Sequence, residues 1–147
     1  MGADGLKEVS TQSVLAANYL LSKIDTSAYA IPFNKAQPRK HEFVASAQPL
    51  KSKAEVAASD VAKALLDEGF HAPTMYFPLI VDEALMIEPT ETESVEEIDR
   101  YASTLNRITE KAVKNPSSVK GCPMNTSISR LDEVKASHPL TMRLKWS

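Results

Sequence analysis

The segment Met75-Tyr76-Phe77-Pro78-Leu79-Ile80-Val81-Asp82-Glu83-Ala84-Leu85-Met86-Ile87 decides the fold class. Its first part, Met75–Ile80, is rich in β-forming residues but broken by Pro78, which predicts an edge strand or a bulge. Ala84–Ile87 predicts a second strand. The Val81-Asp82-Glu83 connection is short enough for the two to pair antiparallel. Such a pair is not stable alone and needs helices against its apolar face.

Helical patterns flank it on both sides. Ser94 followed by Glu97 forms a capping box, with Glu96 and Glu97 in the first turn of the helix it opens. Ile98, Tyr101, Ala102, Leu105, Ile108 and Ala112 give that helix one apolar face, and Asn115-Pro116 stops it. Upstream, Ser59 is the expected cap of a helix over Asp60–Glu68, closed by Gly69 at the C′ position. His41–Ala47 predicts a short strand carrying Phe43 and Val44. Tyr29–Lys40 holds Pro32 and Pro38 without periodicity and reads as an extended linker. A first helix is predicted from Asp4, its expected N-cap, to Asp25. Leu6, Val9, Ser13, Ala16, Ala17, Leu20 and Ile24 share one face of it. Val14, Tyr19 and Leu21 widen that face, so it calls for a partner on two sides, either a further domain or a second copy in a homodimer.

The expected organisation is a long N-terminal helix (1–28), a linker (29–40), an α+β small domain (41–116) and a tail packing on it (117–147), with a short helical piece at Leu131–Ala136. The fold class is α+β, an antiparallel sheet with helices on one side.

Composition narrows the function. The chain has 147 residues, 17 basic and 19 acidic, for a net charge of −2. That balance provides no electrostatic footprint for nucleic acid. The single cysteine, Cys122, excludes a CxxC site or an internal disulfide framework. No apolar run approaches the ~20 residues a membrane span needs, and the start lacks the basic and apolar regions of a secretory signal. The expected setting is reducing and cytoplasmic.

The chemistry-bearing residues are sparse. The four glycines, at 2, 5, 69 and 121, form no phosphate-cradling loop. His41, His71 and His138 have no companion at metal-ligand spacing, and no metal is expected. Cys122 has no paired base to make it a nucleophile. The acidic run Glu88, Glu91, Glu93, Glu96, Glu97, Asp99 reads as helix-terminal charge followed by a solvated loop. Lys35, Arg39, Lys40 and His41 form a short basic cluster, either a solvated linker or an anion site. The residues alone contain no catalytic set.

The string Gly69-Phe70-His71-Ala72-Pro73-Thr74-Met75-Tyr76-Phe77-Pro78-Leu79-Ile80-Val81, continued by Ala84-Leu85-Met86-Ile87-Glu88-Pro89-Thr90-Glu91-Thr92-Glu93-Ser94, closely resembles the C-terminal region of glycine dehydrogenase (decarboxylating). This is the P-protein of the glycine cleavage system, and in its two-subunit form the second subunit. Asp4-Gly5-Leu6 through Ala17-Asn18-Tyr19-Leu20, His41-Glu42-Phe43-Val44 and Arg130-Leu131-Asp132-Glu133-Val134 agree with it as well, so the resemblance covers essentially the whole chain.

The resemblance implies the small C-terminal domain of the aminotransferase-like, pyridoxal-phosphate type I fold, preceded by its entry helix. It implies glycine decarboxylation with aminomethyl transfer to the lipoyl arm of the H-protein, and a large cofactor-binding domain or other P-protein subunit as partner. None of the twelve lysines stands in the family's cofactor-lysine context. Ala72 replaces a proline usual in the family. The isolated chain is therefore expected to bind no cofactor and to be inactive, with pyridoxal phosphate belonging to the complete enzyme. The segment entering the small domain borders the active site in this fold, which points first to His41, with Arg39, Thr90, Glu91 and His71 as neighbours. The competing reading is a free-standing, non-catalytic binding or dimerisation module of the same fold.

Overall fold

The computed structural model describes residues 1–33 and 36–143. In chain order it holds α1 (Gly2–Lys23), β1 (Phe43–Ser46), α2 (Gln48–Ala54), α3 (Ala58–Asp67), β2 (Thr74–Met75), β3 (Ala84–Ile87), α4 (Val95–Lys114), α5 (Pro116–Lys120) and α6 (Glu133–Ser137). The strands form one antiparallel sheet in the order β1-β3-β2.

Register explains which side of the sheet is covered. Phe43 pairs with Ile87 and Ala45 with Leu85, and these side chains share one face because successive residues alternate. All four belong to the hydrophobic core. On the opposite face Val44 and its partner Met86 are only half-buried. The expected one-sided α+β arrangement is present.

α4 is the central helix, packing on α1, α2, α3 and α5. Ile98, Ala102, Leu105, Ile108 and Ala112 are buried as their spacing requires. Ser94 caps the helix by accepting from the Glu97 N–H at 3.2 Å. The Glu97 carboxylate does not complete the capping box; it is taken by Arg100, whose Nε donates at 2.8 Å. In α1 only the second half packs. Ala17, Leu20 and Ile24 join the chain's own core, whereas Leu6, Val14 and Leu15 remain exposed. The Leu20–Ile24 part of the apolar face is thus spent within the chain.

Several local expectations are corrected. Asp4 lies inside the first turn of α1, and Met1 occupies the cap position. The cap of α3 is Ala57, not Ser59, and Asp60 reaches back to accept the Ala57 N–H at 2.9 Å. β2 ends at Met75 because Tyr76 takes a left-handed φ of 57°, so the chain from 76 to 83 is a loop rather than a strand and a short turn. α2 was not expected. It starts directly after β1 on Pro49 and stops where Glu55 turns left-handed at φ 55°, leaving too few residues to show periodicity. The segment following α1 is anchored at its start: Tyr29 is fully buried, and Ala30 exchanges two backbone hydrogen bonds with Ser46 at 2.9 and 2.8 Å.

The expected Gly69 terminator is realised as a Schellman motif. Gly69 N–H donates to Leu66 O at 3.1 Å and Phe70 N–H to Leu65 O at 3.0 Å, with Gly69 at φ 80°. The tail is attached by polar straps. Arg130 Nη2 donates to Asp60 Oδ1 at 2.6 Å, Lys63 pairs with Glu133 at 2.9 Å, and the Met124 and Asn125 N–H groups donate to Asp67. From Met124 to Arg143 every residue is exposed.

Candidate functional site

One end of the sheet collects the start of β1, the start of β2 and the end of β3, since the strand order alternates direction about β3. A cavity of about 240 Å³ opens there. Leu20 of α1, Ile87 of β3 and Ile98 of α4 supply apolar lining. Phe70 and Tyr101 supply aromatic lining, edge to face with centroids 5.1 Å apart. The Arg100 guanidinium lies 3.9 Å over the Phe70 ring. Burial, and secondarily the nearby Tyr29, raise the Tyr101 hydroxyl above its ordinary value.

Three carboxylates, Glu88, Glu93 and Glu97, also line the cavity, together with His71. The hydrogen bond from Arg100 holds the Glu97 carboxyl below its ordinary range. These walls favour a neutral or cationic group over an anion. They do not fit pyridoxal phosphate: no lysine is among the lining residues, and the carboxylates would repel its phosphate. No chemical step is assigned to that cofactor on this chain's residues.

The predicted site residues are partly brought together. His41 Nε2 stands 3.8 Å from Glu88 Oε1, and Glu88 lines the cavity with His71. Glu88 is therefore the residue joining the two histidines' surroundings, although by sequence it read as solvated charge. Thr90 lies just beyond it, its hydroxyl 2.7 Å from that of Thr92. Glu91 faces α1, where the Ser13 hydroxyl is 3.5 Å away. Arg39 is tethered instead to α1: Asn18 accepts its N–H and donates to its carbonyl, both at 2.8 Å. Its guanidinium donates to the Phe33 carbonyl at 3.1 Å. Lys35 of the basic cluster lies outside the described residues. Phe70, Tyr101 and Glu93 escaped the sequence reading, since Tyr101 matched the period of a core face and Glu93 sat in an ordinary acidic loop.

Burial, followed by the Asp67 carboxylate beside it, pushes the Cys122 thiol up to about 11, away from thiolate chemistry. Among the described residues no group of three potential ligands gathers for a metal, and no helix is long and apolar enough to cross a membrane.

The fold and cavity define a small α+β domain with a cavity at one end of its sheet, formed by strand termini, a loop and two helices. Residues 9–127 match the family model described as glycine dehydrogenase, C-terminal domain. The chain belongs to that family. It is 56% identical over 138 residues to the probable glycine dehydrogenase (decarboxylating) subunit 2 of Pyrococcus furiosus, covering 93% of this chain and 27% of the relative. The correspondingly named protein of Thermococcus onnurineus matches with the same identity and coverage. That of Staphylothermus marinus is 50% identical over 147 residues, 99% of this chain and 28% of the relative. The chain thus spans just over a quarter of the length of the curated relatives it matches.

Proposed function

We propose that this chain is the C-terminal portion of a glycine dehydrogenase (decarboxylating) subunit 2 and forms one wall of its active site. The observation that carries the reading is the 56% identity extending over 93% of the chain to a relative of that name. In this reading the whole protein has the pyridoxal-phosphate type I fold, and this chain is its small domain. The divisions 1–28, 29–40, 41–116 and 117–147 are the entry helix, linker, small domain and tail. Pyridoxal phosphate supplies the electron sink for decarboxylation in the complete enzyme. Residues outside this chain hold it, in keeping with the acidic lining of the cavity. The lipoyl arm of the H-protein takes the aminomethyl group, and the location is cytoplasmic.

The border of the active site is placed at His41, with Arg39, His71, Thr90 and Glu91 around it. Glu88 supports this, standing 3.8 Å from His41 and lining the same cavity as His71. There the half-exposed imidazole of His41, beside the cavity rather than in its lining, offers a hydrogen bond to substrate.

The test is a graft. This chain replaces the matching segment of the Pyrococcus furiosus relative, and the purified subunit is assayed with its partner subunit and lipoyl H-protein for release of the glycine carboxyl group. Activity within about tenfold of the parent is expected, a barrier difference of ~1.4 kcal/mol. A rate at background overturns the reading.

A further inference from the structure

The loop between β2 and β3 carries an apolar tip. Tyr76 is 44% exposed, Phe77 54%, Leu79 87% and Ile80 84%. Scattered apolar residues on a surface are ordinary, but a contiguous run of large ones is not.

The base of this tip is also braced. The loop leaves β2 through Tyr76 at φ 57° and enters β3 through Glu83 at φ 50°, both left-handed conformations that side chains other than glycine rarely adopt. Tyr76 N–H still bonds Ala84 O at 2.9 Å. At the other end the Ser46 hydroxyl donates to Asp82 O at 2.6 Å, and Ala47 N–H to Glu83 O at 2.9 Å. The buried Glu83 carboxylate accepts the Ala58 N–H at 2.7 Å and pairs with Lys51. Val81, next along the loop, is buried. The base is thus pinned to β1, α2 and α3 while Leu79 and Ile80 project outward. Pre-organisation of this kind lowers the ordering cost of an apolar contact.

We infer that the 76–80 tip is an intramolecular docking surface, covered in the intact subunit by the part of the same polypeptide that lies outside this chain. The inference rests on the proposed function, since it takes the chain to be the C-terminal quarter of a longer subunit. Nearly three quarters of each matched relative lies outside the match, so a large covering body is at hand. A second copy is disfavoured by size. A protruding tip of four apolar side chains cannot supply the roughly 800 Å² per partner of a stable protein–protein interface. A segment of the same polypeptide needs no such area, because its effective concentration replaces the entropy cost of association.

The experiment uses an intact subunit carrying this domain, purified without its partner subunit and labelled with hydroxyl radicals. Leu79 and Ile80 should oxidise at least fivefold more slowly than in the urea-unfolded subunit, and equally slowly after hundredfold dilution. Native rates matching the unfolded ones, or protection lost on dilution, would overturn the inference; the latter points to a second copy. In the Leu79→Asp/Ile80→Asp double variant, proteolysis between this domain and the rest should accelerate at least tenfold, with amide exchange in β1 and β3 unchanged. Unchanged proteolysis overturns the inference. Loss of β1 and β3 protection does so equally, because it assigns these side chains to the domain's own fold. Neither readout uses glycine, so an inactive subunit with a covered tip refutes the proposed function and not the docking surface.

Discussion

His41 Nε2 lies 3.8 Å from Glu88 Oε1, and the sheet register is the cause. Phe43 pairs with Ile87, so the chain just before β1 and the chain just after β3 emerge side by side. Both partners are about half exposed, so the pair adds little to stability. Its value is positional. His41→Ala should change the unfolding free energy by less than about 1 kcal/mol. In an intact subunit containing this domain, the same change should lower kcat/KM for glycine about tenfold, ~1.4 kcal/mol of barrier. A rate within about twofold of the parent removes His41 from the site.

Gly69 offers a cleaner test, because only backbone conformation is at stake. At φ 80° it closes the Schellman motif of α3, and a Cβ built there would meet nothing within 4 Å. Gly69→Ala should therefore destabilise by about 1–2 kcal/mol through left-handed strain without any clash. Gly69→Asn should cost less, since asparagine tolerates that region better. Urea unfolding of both variants checks the order. Equal stabilities for Ala and Gly would show that the α3 terminus relaxes into another turn.

Glu83 carries two duties at one residue. It sits left-handed at φ 50°, and its buried carboxylate accepts the first N–H of α3 at Ala58 while pairing with Lys51. Glu83→Ala leaves the Ala58 N–H without this acceptor, at an expected cost of about 1–3 kcal/mol. Glu83→Gln keeps an acceptor and should lose less. Lys51→Ala should lose least, since the Lys51 side chain is half exposed. An equilibrium denaturation series checks the ranking, and an Ala variant as stable as the parent would show that water replaces the carboxylate.

The long-period features were the legible ones. α4, its Ser94 cap, β3 and the Gly69 stop all follow from local patterns that the tertiary structure has no reason to override. Tyr76 was not legible, because no local rule puts a tyrosine at φ 57°; its N–H is bonded across the loop to Ala84 O. α2 was hidden by its seven-residue length. At the candidate site, His41 was reached through the family resemblance and the basic cluster before β1, with His71 only as a weaker neighbour. Glu88, which links them, was not, because a carboxylate before a proline looks like any solvated acid until the register places it beside His41.

The attachment of the tail depends on charge. Met124 and Asn125 donate their N–H groups to Asp67 at 2.7 Å, and Arg130 bridges Asp60 and the Cys122 carbonyl. Desolvation would raise the Asp67 carboxyl, but the bonds from Asn125 and Met124 prevail and hold it below its ordinary value of 3.8. A carboxyl depressed in the folded state stabilises fully above its unfolded value and loses that contribution as pH falls through the folded one. The strap should therefore be intact at neutral pH and loosen below about pH 4, the ordinary carboxylate range. Amide exchange at Met124 and Asn125, corrected for intrinsic rates, should accelerate over that window in the parent and much less in Asp67→Asn. Arg130→Ala should speed tryptic cleavage after Lys135 several-fold at neutral pH. Because every residue from Met124 to Arg143 is exposed, releasing the strap leaves the core packed. The global unfolding free energy should thus drop by only about 1–2 kcal/mol, the worth of a hydrogen-bonded ion pair at partly exposed residues. A larger loss, with β1 and β3 amides exchanging as fast as the tail, would mean that the tail is integral to the fold.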